Sequence, residues 1–508
     1  MMYSVHDTPV LIVGGGLTGL SAALFLRHHG VGSVLVERHP GTSPQPKARR
    51  INLRTMEAFR QIGIEGEVTK AAAALADFQG MSAGPTLVQA RPLPWNFPGG
   101  MPDWDTISPS LSCLCAQDLL EPVLRELAAG RECDLRFGSE VTDVAVDDGG
   151  VTATVRAAGG TVSRIRAAYL IAADGARSPV RERLGIGRSG RGTLGRFVNV
   201  YFRADLAGLI KGREFNLCQI EHPQAPGAIA SINGTDRWIF STAVAPRRTA
   251  AQWAELVQAA IGAPADVAIL SVLEWEPGMF VADRFSEGRI FLAGDAAHVM
   301  PPYAALGANT GIQDVHNLAW KLALLLDGRA GPGLLDSYHA ERHPAAWFAA
   351  DQSSIRTGNL REMNSTSRDG TPLADPMALT VGVQYPGGAV MGDGSTAAAD
   401  HLDLSGQPGT RLPHRWLDGK RTSTLDLAGP GLTLVTGPAG DLWAGAAARL
   451  GVCVRRAGGE LAGWAEAAGI GDGGALLVRP DHVVAWRSAG PPGAPDELEK
   501  VTRILLGR

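Results

Sequence analysis

Apolar positions along this chain fall into two patterns. Short aliphatic runs at Val10–Val13, Ser33–Val36, Tyr169–Ala173 and Gly288–Ala293 predict strands buried on both faces, as in a parallel sheet. Helical spacing dominates elsewhere. Leu20 to His29 reads as a helix that Gly30 can close, and Ile312, Val315, Leu318, Ala319, Leu322 and Leu325 mark a longer one. Four strand-like runs, Phe197–Phe202, Phe215–Ile220, Ala228–Ile232 and Trp238–Ala243, suit an antiparallel sheet. Pro386–Thr410 is rich in Gly, Asp, Pro and Ser and reads as a linker. Beyond it, Leu432–Val435, Ala475–Pro480 and Val483–Trp486 read as strands of a further unit.

The first strand runs into Gly14-Gly15-Gly16-Leu17-Thr18-Gly19, a G-x-G-x-x-G turn. With the helix and second strand it makes a βαβ unit of about thirty residues ending in Glu37-Arg38. Gly14 permits the turn, Gly16 lets the backbone approach a pyrophosphate, and Gly19 lets helix and strand pack closely. The helix N-terminus faces phosphate charge, and Glu37 can accept ribose hydroxyls, although it also suits a solvated strand end. Three further matches, at Gly185–Gly190, Gly190–Gly195 and Gly469–Gly474, lie between no strand and helix and are assigned to loops. One dinucleotide fold is therefore expected, at the N-terminus.

Composition narrows the class. The 508 residues imply roughly two to four domains. A formal net charge of −4 argues against a surface built for nucleic acid. Five cysteines without a Cys-x-x-Cys pair argue against a disulfide scaffold and a zinc site, so no metal is expected. Pro9–Leu26 superficially suggests a signal peptide or membrane span, but no basic region precedes it and glycines interrupt it. A cytoplasmic protein without membrane contact is the expectation.

Two later motifs make the reading specific. Asp174-Gly175 follows the third strand, with Ser178-Pro179 placed to start a helix. Gly294-Asp295-Ala296-Ala297-His298 follows the fourth, then Pro301-Pro302 and Gly307-Ala308-Asn309-Thr310-Gly311-Ile312-Gln313-Asp314. In this order the motifs resemble the group A FAD-dependent aromatic hydroxylases of the para-hydroxybenzoate hydroxylase type. Within them the chain is most similar to the actinobacterial hydroxylases that tailor aromatic polyketides. The resemblance implies an α/β fold, in which a Rossmann-like FAD domain interleaves with a β-sheet substrate domain and a thioredoxin-like α/β domain follows. Residues 1–72, 102–182 and 280–350 would form the FAD domain, and 73–101 and 183–279 the substrate domain. Residues 351–410 would be a helical and linker region, and 411–508 the thioredoxin-like domain. That domain holds only Cys453, so its role would be structural.

The resemblance also distributes roles. Gly14, Gly16, Leu17, Thr18 and Gly19 would cradle the FAD pyrophosphate, with Glu37 and Arg38 at the adenosine ribose and Val141 over the adenine. Arg49 matches a family arginine near the pyrophosphate and the NAD(P)H approach, and Gln117 a flavin contact. Asp174 would lie near FAD and NAD(P)H, and Gly294-Asp295 would bind ribityl or ribose hydroxyls. Both aspartates also suit helix caps without a ligand. Pro302 would line flavin and substrate, while Gly307, Ala308 and Asn309 would offer N–H groups to the reduced flavin's negative charge. His298 reads as an ordinary packed histidine. Tyr201, Gln219, His222 and Trp238 are the polar pocket candidates, each with a plain packing role as the alternative. The catalytic base is not identifiable.

The implied reaction is hydroxylation of a phenolic, polycyclic aromatic polyketide in antibiotic biosynthesis. NADPH or NADH would reduce FAD, O2 would add to form a flavin C4a-hydroperoxide, and an activated ring carbon would take its distal oxygen. A monomer or homodimer is expected. The chain departs from the family where Ala304-Ala305 stands in place of a Gly-Gly pair, which narrows the backbone approach to the flavin. That change keeps open a Baeyer–Villiger or other oxidative rearrangement on the same scaffold. A non-catalytic flavin-binding partner of another oxygenase is the rival from outside the enzymes.

Overall fold

A computed structural model describes residues 5–94, 102–243, 248–356, 360–362, 367–368, 370–392, 401–417, 419, 421–457 and 461–508. Parts of the expected substrate domain (95–101) and linker (393–400) lie outside these residues.

Val5–Val13 is the centre of an eight-stranded sheet. It pairs in parallel with Ser33–Glu37 on one side and Val162–Ala172 on the other, and Ile290–Leu292 extends the second side in parallel. Val10, Leu11 and Ile12 are fully buried, as an unbroken aliphatic run requires in a sheet covered on both faces. Helices Leu17–His28 and Gly307–Leu326 pack on it. The first strand begins five residues earlier than its apolar run, because Val5 to Thr8 pair with Arg164 to Ala167. The topology brings the carboxyl ends of strands far apart in sequence to one edge. Gly14, Glu37, Asp174 and Asp295 all follow or end such strands there, where open α/β sheets bind ligands.

A seven-stranded sheet stands over this edge. Its central members are Phe197–Arg203, Arg237–Ala243, Gly227–Ser231 and Phe215–Ile220. These four are joined in antiparallel order, and Gly80–Gly84 adds in parallel. Helix Ala250–Ile261 covers one face with Trp253, Val257 and Ile261 against Val200, Phe202 and Phe240. Of the three extra glycine motifs, the second is not a loop. Gly190 and Gly192 lie in strand Arg188–Thr193, where a Cβ on Gly190 would stand 2.2 Å from the Met279 carbonyl oxygen.

The C-terminal unit is a four-stranded sheet, ordered Cys453–Arg456, Thr433–Thr436, Ala475–Val478, Val484–Ser488. The first pair is parallel and the others antiparallel. It is locked to the rest by buried charge. Glu341, on helix Gly333–Ile355, accepts from Arg479 Nη1 and Nη2 (both 2.8 Å), Lys321 Nζ (2.9 Å) and the Ala389 amide (2.8 Å). Glu57 accepts from Arg411 (2.9 Å), Arg54 (3.0 Å) and the Ser108 hydroxyl (2.7 Å). The expected linker is thus packed rather than free at its start, with Ala389 buried against Glu341.

Burial alone would raise the Glu341 and Glu57 carboxyls, but Arg479 with Lys321, and Arg411 with Arg54, hold both below the usual range. A carboxyl depressed in the folded state stabilises above its unfolded pKa, about 4.3, and loses that contribution as pH falls through the folded value. The Arg479→Met variant leaves Glu341 buried with one cation fewer. It should lose about 3–5 kcal/mol in urea unfolding at pH 7. Acidification below about pH 4 should shrink the gap to the parent.

Candidate functional site

The glycine turn divides its labour. A Cβ on Gly14 (φ 108°) would lie 2.1 Å from the Ala173 carbonyl oxygen, and one on Gly19 would lie 1.9 Å from that of Gly14. These two glycines are demanded by packing. At Gly16 the nearest atom would be Glu121 Oε1 at 3.5 Å, an ordinary contact, so packing does not demand glycine here. The Gly15 amide donates to Glu37 Oε2 (2.6 Å), and the His39 amide to Glu37 Oε1 (2.8 Å). Glu37 is thereby held at the rim of a cavity of about 2610 Å³ whose wall includes Gly14, Gly16, Leu17, Thr18, Glu37, Arg38 and Val141. Gly19 lies behind that wall.

Asp295 is exposed on the cavity wall, ringed by protein, and no protein group among the described residues hydrogen-bonds it. Burial pushes its carboxyl up, opposed by His298 and Lys47. The turn below it is fixed by Asp314. That carboxylate accepts from the Gly294 amide (3.0 Å), Arg342 Nε (2.9 Å) and the His298 ring (Nε2, 2.7 Å). His298 is a packed, fully buried histidine, as expected. Gly294 itself does not line the cavity; it is a contact glycine, whose Cβ would meet Thr18 Oγ1 at 2.5 Å. Asp174 borders the cavity but acts as a cap. It accepts from the Ser178 hydroxyl (2.6 Å) and the Val180 amide (3.0 Å), at the start of helix Pro179–Arg183.

Gly307 and Ala308 border the cavity at the head of the long helix, where the first N–H groups have no intrahelical acceptor. The Asn309 side chain has a role of its own, apart from the backbone N–H expected at the helix head. It is buried, donates to the Arg50 (2.9 Å) and Ala305 (2.8 Å) carbonyls, and accepts from the Asn52 amide (3.0 Å), so it fastens the helix head instead of lining the site. Ala304 (φ 66°) and Ala305 (φ 54°) keep the left-handed backbone that glycine would adopt freely. Gln117 lines the cavity, donates to Glu121 Oε1 (2.7 Å) and accepts from the Ala48 amide (3.4 Å). Glu121 also accepts from the Ser43 amide (2.7 Å), a buried role that the sequence reading missed.

Arg49 departs further. Its guanidinium does not turn to the glycine loop but donates to the Ser231 (3.0 Å) and Asn216 (3.2 Å) carbonyls of the upper sheet. Of the pocket candidates, Gln219 and Pro302 line the cavity, whereas Tyr201, His222 and Trp238 do not. The reason is strand alternation. On Phe197–Arg203 the side chains of Val198, Val200 and Phe202 enter the core, while Phe197 and Asn199 face the cavity. Trp238 pairs with Phe202, falls on the core face and donates its indole N–H to the Ala204 carbonyl (3.0 Å). Tyr201 shares the cavity face but packs beyond its end on Ala116 and Ile232, with Arg237 donating to its hydroxyl (3.1 Å). His222 accepts from the Gln224 amide (3.2 Å) in a turn outside. The residues missed, Asn199, Ser241 and Trp275, were open to a period-two reading. No group of metal ligands occurs among the described residues, and none of their helices is long and apolar enough to cross a membrane.

The residues present fit a bound dinucleotide: an open Gly16, an unpartnered Asp295 and two helix heads border one cavity. Residues 7–353 match the family described as FAD binding domain, and residues 405–508 that described as aromatic-ring hydroxylase, C-terminal. The chain belongs to the FAD-dependent aromatic-ring hydroxylases. It is 40% identical to a tetracenomycin A2 monooxygenase-dioxygenase of Streptomyces glaucescens (99% of this chain, 98% of the relative). It is 36% identical to an aklavinone 12-hydroxylase of Streptomyces purpurascens (99% of each). The crystal structure of an aklavinone-11 hydroxylase with FAD and aklavinone superposes with a TM-score of 0.89 at 35% identity, over 100% of both chains.

Two substitutions separate packing from access. Gly16→Ala should leave the thermal midpoint of the apoprotein within a few degrees while weakening FAD retention at least tenfold. Gly14→Ala should lower the midpoint itself, measured by calorimetry with and without added FAD. Ala304→Gly and Ala305→Gly should each raise stability by about 0.5–1 kcal/mol, the reverse of the usual cost of glycine.

Proposed function

We propose that this enzyme hydroxylates a phenolic, polycyclic aromatic polyketide with O2 and NADPH or NADH. The observation that carries this reading is the single continuous cavity of about 2610 Å³. One ligand commonly occupies about 300–1,000 Å³, so there is room for FAD and a large second molecule. The far half is largely apolar, with Met81, Leu217, Ala228, Ala230 and Ile239, and with Phe197 and Trp275 stacked at 5.3 Å as a flat wall. Flat fused rings suit such a surface. A relative 38% identical over 99% of this chain is named for a single-ring phenol, 4-methyl-5-nitrocatechol, so cavity size is what favours several rings.

FAD supplies the activation of O2 when bound. The chain's own groups bind and orient. Gly16, Leu17 and Thr18 would take the pyrophosphate at a helix head, Glu37 the adenosine ribose and Asp295 the ribityl hydroxyls. The Gly307 and Ala308 N–H groups would hold negative charge at the flavin ring. The upper sheet would keep water from the reacting atoms. The other glycine motifs sit in loops or a strand, so NAD(P)H would enter this same cavity. The C-terminal unit reads as thioredoxin-like from its strand order and its single parallel pair. Exposed Cys453 has no partner for dithiol exchange, which leaves a structural role.

The test is to purify the protein, record flavin absorbance and follow NADPH oxidation with tricyclic and tetracyclic polyphenols. A coloured protein and a product one oxygen heavier are expected. A lactone or ring-opened product would favour the oxidative rearrangement, and oxidation that yields only peroxide, whatever the polyphenol, would favour the non-catalytic partner. Colourless protein that takes up no FAD would sink every flavin reading.

A further inference from the structure

Arg49 is a half-buried cation on the cavity wall with no counter-ion among the described residues. Its three hydrogen bonds go to neutral acceptors: the Ser231 carbonyl (3.0 Å), the Asn216 carbonyl (3.2 Å) and Asn216 Oδ1 (3.1 Å). No carboxylate lies within 4.0 Å among the described residues. The charge beside it is Arg50, of the same sign, which itself donates to the Ser112 hydroxyl (3.2 Å). The arginines that are buried outright differ. Arg54 and Arg411 share Glu57, Arg342 holds Asp314, and Arg479 holds Glu341 and Asp481. Burial and Arg50 hold the Arg49 guanidinium down to about 10, so at neutral pH it is still a full positive charge. Enclosing such a charge is costly unless an anion accompanies it.

The anion has to come from the cavity, since Arg49 lines it. Two features place that anion on the substrate side. The atoms that grip Arg49 belong to Phe215–Ile220 and Gly227–Ser231, the strands whose Leu217, Gln219, Ala228 and Ala230 line the upper wall. The pyrophosphate already has its own partners, the N–H groups at the glycine turn. Three bonds leave two of the five guanidinium N–H groups unused. Asn216 also lines the cavity; its Oδ1 is taken by Arg49, and its Nδ2 has no protein acceptor among the described residues.

We infer that Arg49 binds the substrate as a phenolate, with one of its unused N–H groups on the anionic oxygen and Asn216 Nδ2 beside it. This rests on the proposed aromatic substrate. The phenol O–H bond breaks, the proton leaves to water at the cavity mouth, and Arg49 keeps all its protons. The electron pair left on oxygen enriches the ortho and para ring carbons, which are the ones a hydroxylase must make nucleophilic. Arg49 is thereby a catalytic residue and a specificity filter: it selects rings that carry an acidic hydroxyl at the upper wall.

The probe is 1,8-dihydroxyanthraquinone, whose neutral and anionic forms differ in colour, titrated on the FAD-loaded enzyme by difference absorbance. Its ionisation should fall by at least about one pH unit on the parent enzyme. Arg49→Lys should keep most of that shift and Arg49→Gln should abolish it, with FAD content unchanged in both. An equal shift in parent and Arg49→Gln, or a probe that binds neutral, would overturn the inference. So would a loss of FAD or a changed flavin potential in the variants with the probe's ionisation unaltered, since Arg49 would then serve the cofactor. If the parent holds FAD but binds no hydroxyanthraquinone, the polycyclic substrate class fails and the inference with it. If it holds no FAD at all, the flavin reading has failed first.

Discussion

Thr18 is where the two helices that point at the cavity are held together. Its Oγ1 would lie 2.5 Å from a Cβ on Gly294 and 2.6 Å from one on Gly311. One residue away, Gly19 presses on the Gly14 carbonyl, and Gly14 on that of Ala173. Five backbone segments therefore approach closely: the first strand, the end of strand Val162–Ala172, the first helix, the Gly294 turn and the long helix. Close packing of this kind transmits position rigidly. Each helix head carries free N–H groups and partial positive charge. Fixing both at Thr18 fixes where an anionic ligand and a developing negative charge have to sit.

The same rigidity needs support from behind, and charge supplies it. Asp314 ties the Gly294 turn to His298 and Arg342, and Arg342 reaches the Tyr385 hydroxyl (3.0 Å). A carboxylate with three donors in an enclosed site is satisfied and directional. Burial would raise the Asp314 carboxyl, but His298 and Arg342 hold it below the usual range. The C-terminal unit acts in the same way through Arg479 and Arg411. It contributes no residue to the cavity wall described above, yet it covers the charges on which the long helices rest.

Local chemistry was legible in the sequence; partners brought in by the fold were not. The glycine turn, the Ser178 cap and the helix after Asn309 depend on residues a few positions apart, and each appears where spacing places it. Arg49 could not be read in that way. Its hydrogen-bond partners lie 167 and 182 residues away, and nothing adjacent to it shows that no acid is close. Asn309 is similar, since its carbonyl and amide partners at Arg50 and Asn52 are more than 250 residues distant. Trp238 and Tyr201 take the packing role for another reason. Lying in the substrate region does not place a side chain in the cavity; the alternation of Phe197, Asn199 and their neighbours decides which face is wet.

Ala304 and Ala305 show how strongly the backbone is determined here. Side chains at both positions make the left-handed conformation unfavourable by about 1–2 kcal/mol each. The chain adopts it nonetheless. The constraint comes from both ends of the loop. Ser353 Oγ, on the helix behind, is 2.7 Å from the Pro301 carbonyl and 2.7 Å from that of Tyr303, and Asn309 Nδ2 donates to the Ala305 carbonyl. Held on one side by the Ser353 hydroxyl and on the other by Asn309, the loop keeps its left-handed backbone although both positions carry a Cβ. The two methyl groups stand on the cavity wall beside the helix head. Ala304 and Ala305 therefore put bulk and strain into the loop, directly before the Gly307 and Ala308 N–H groups that border the cavity.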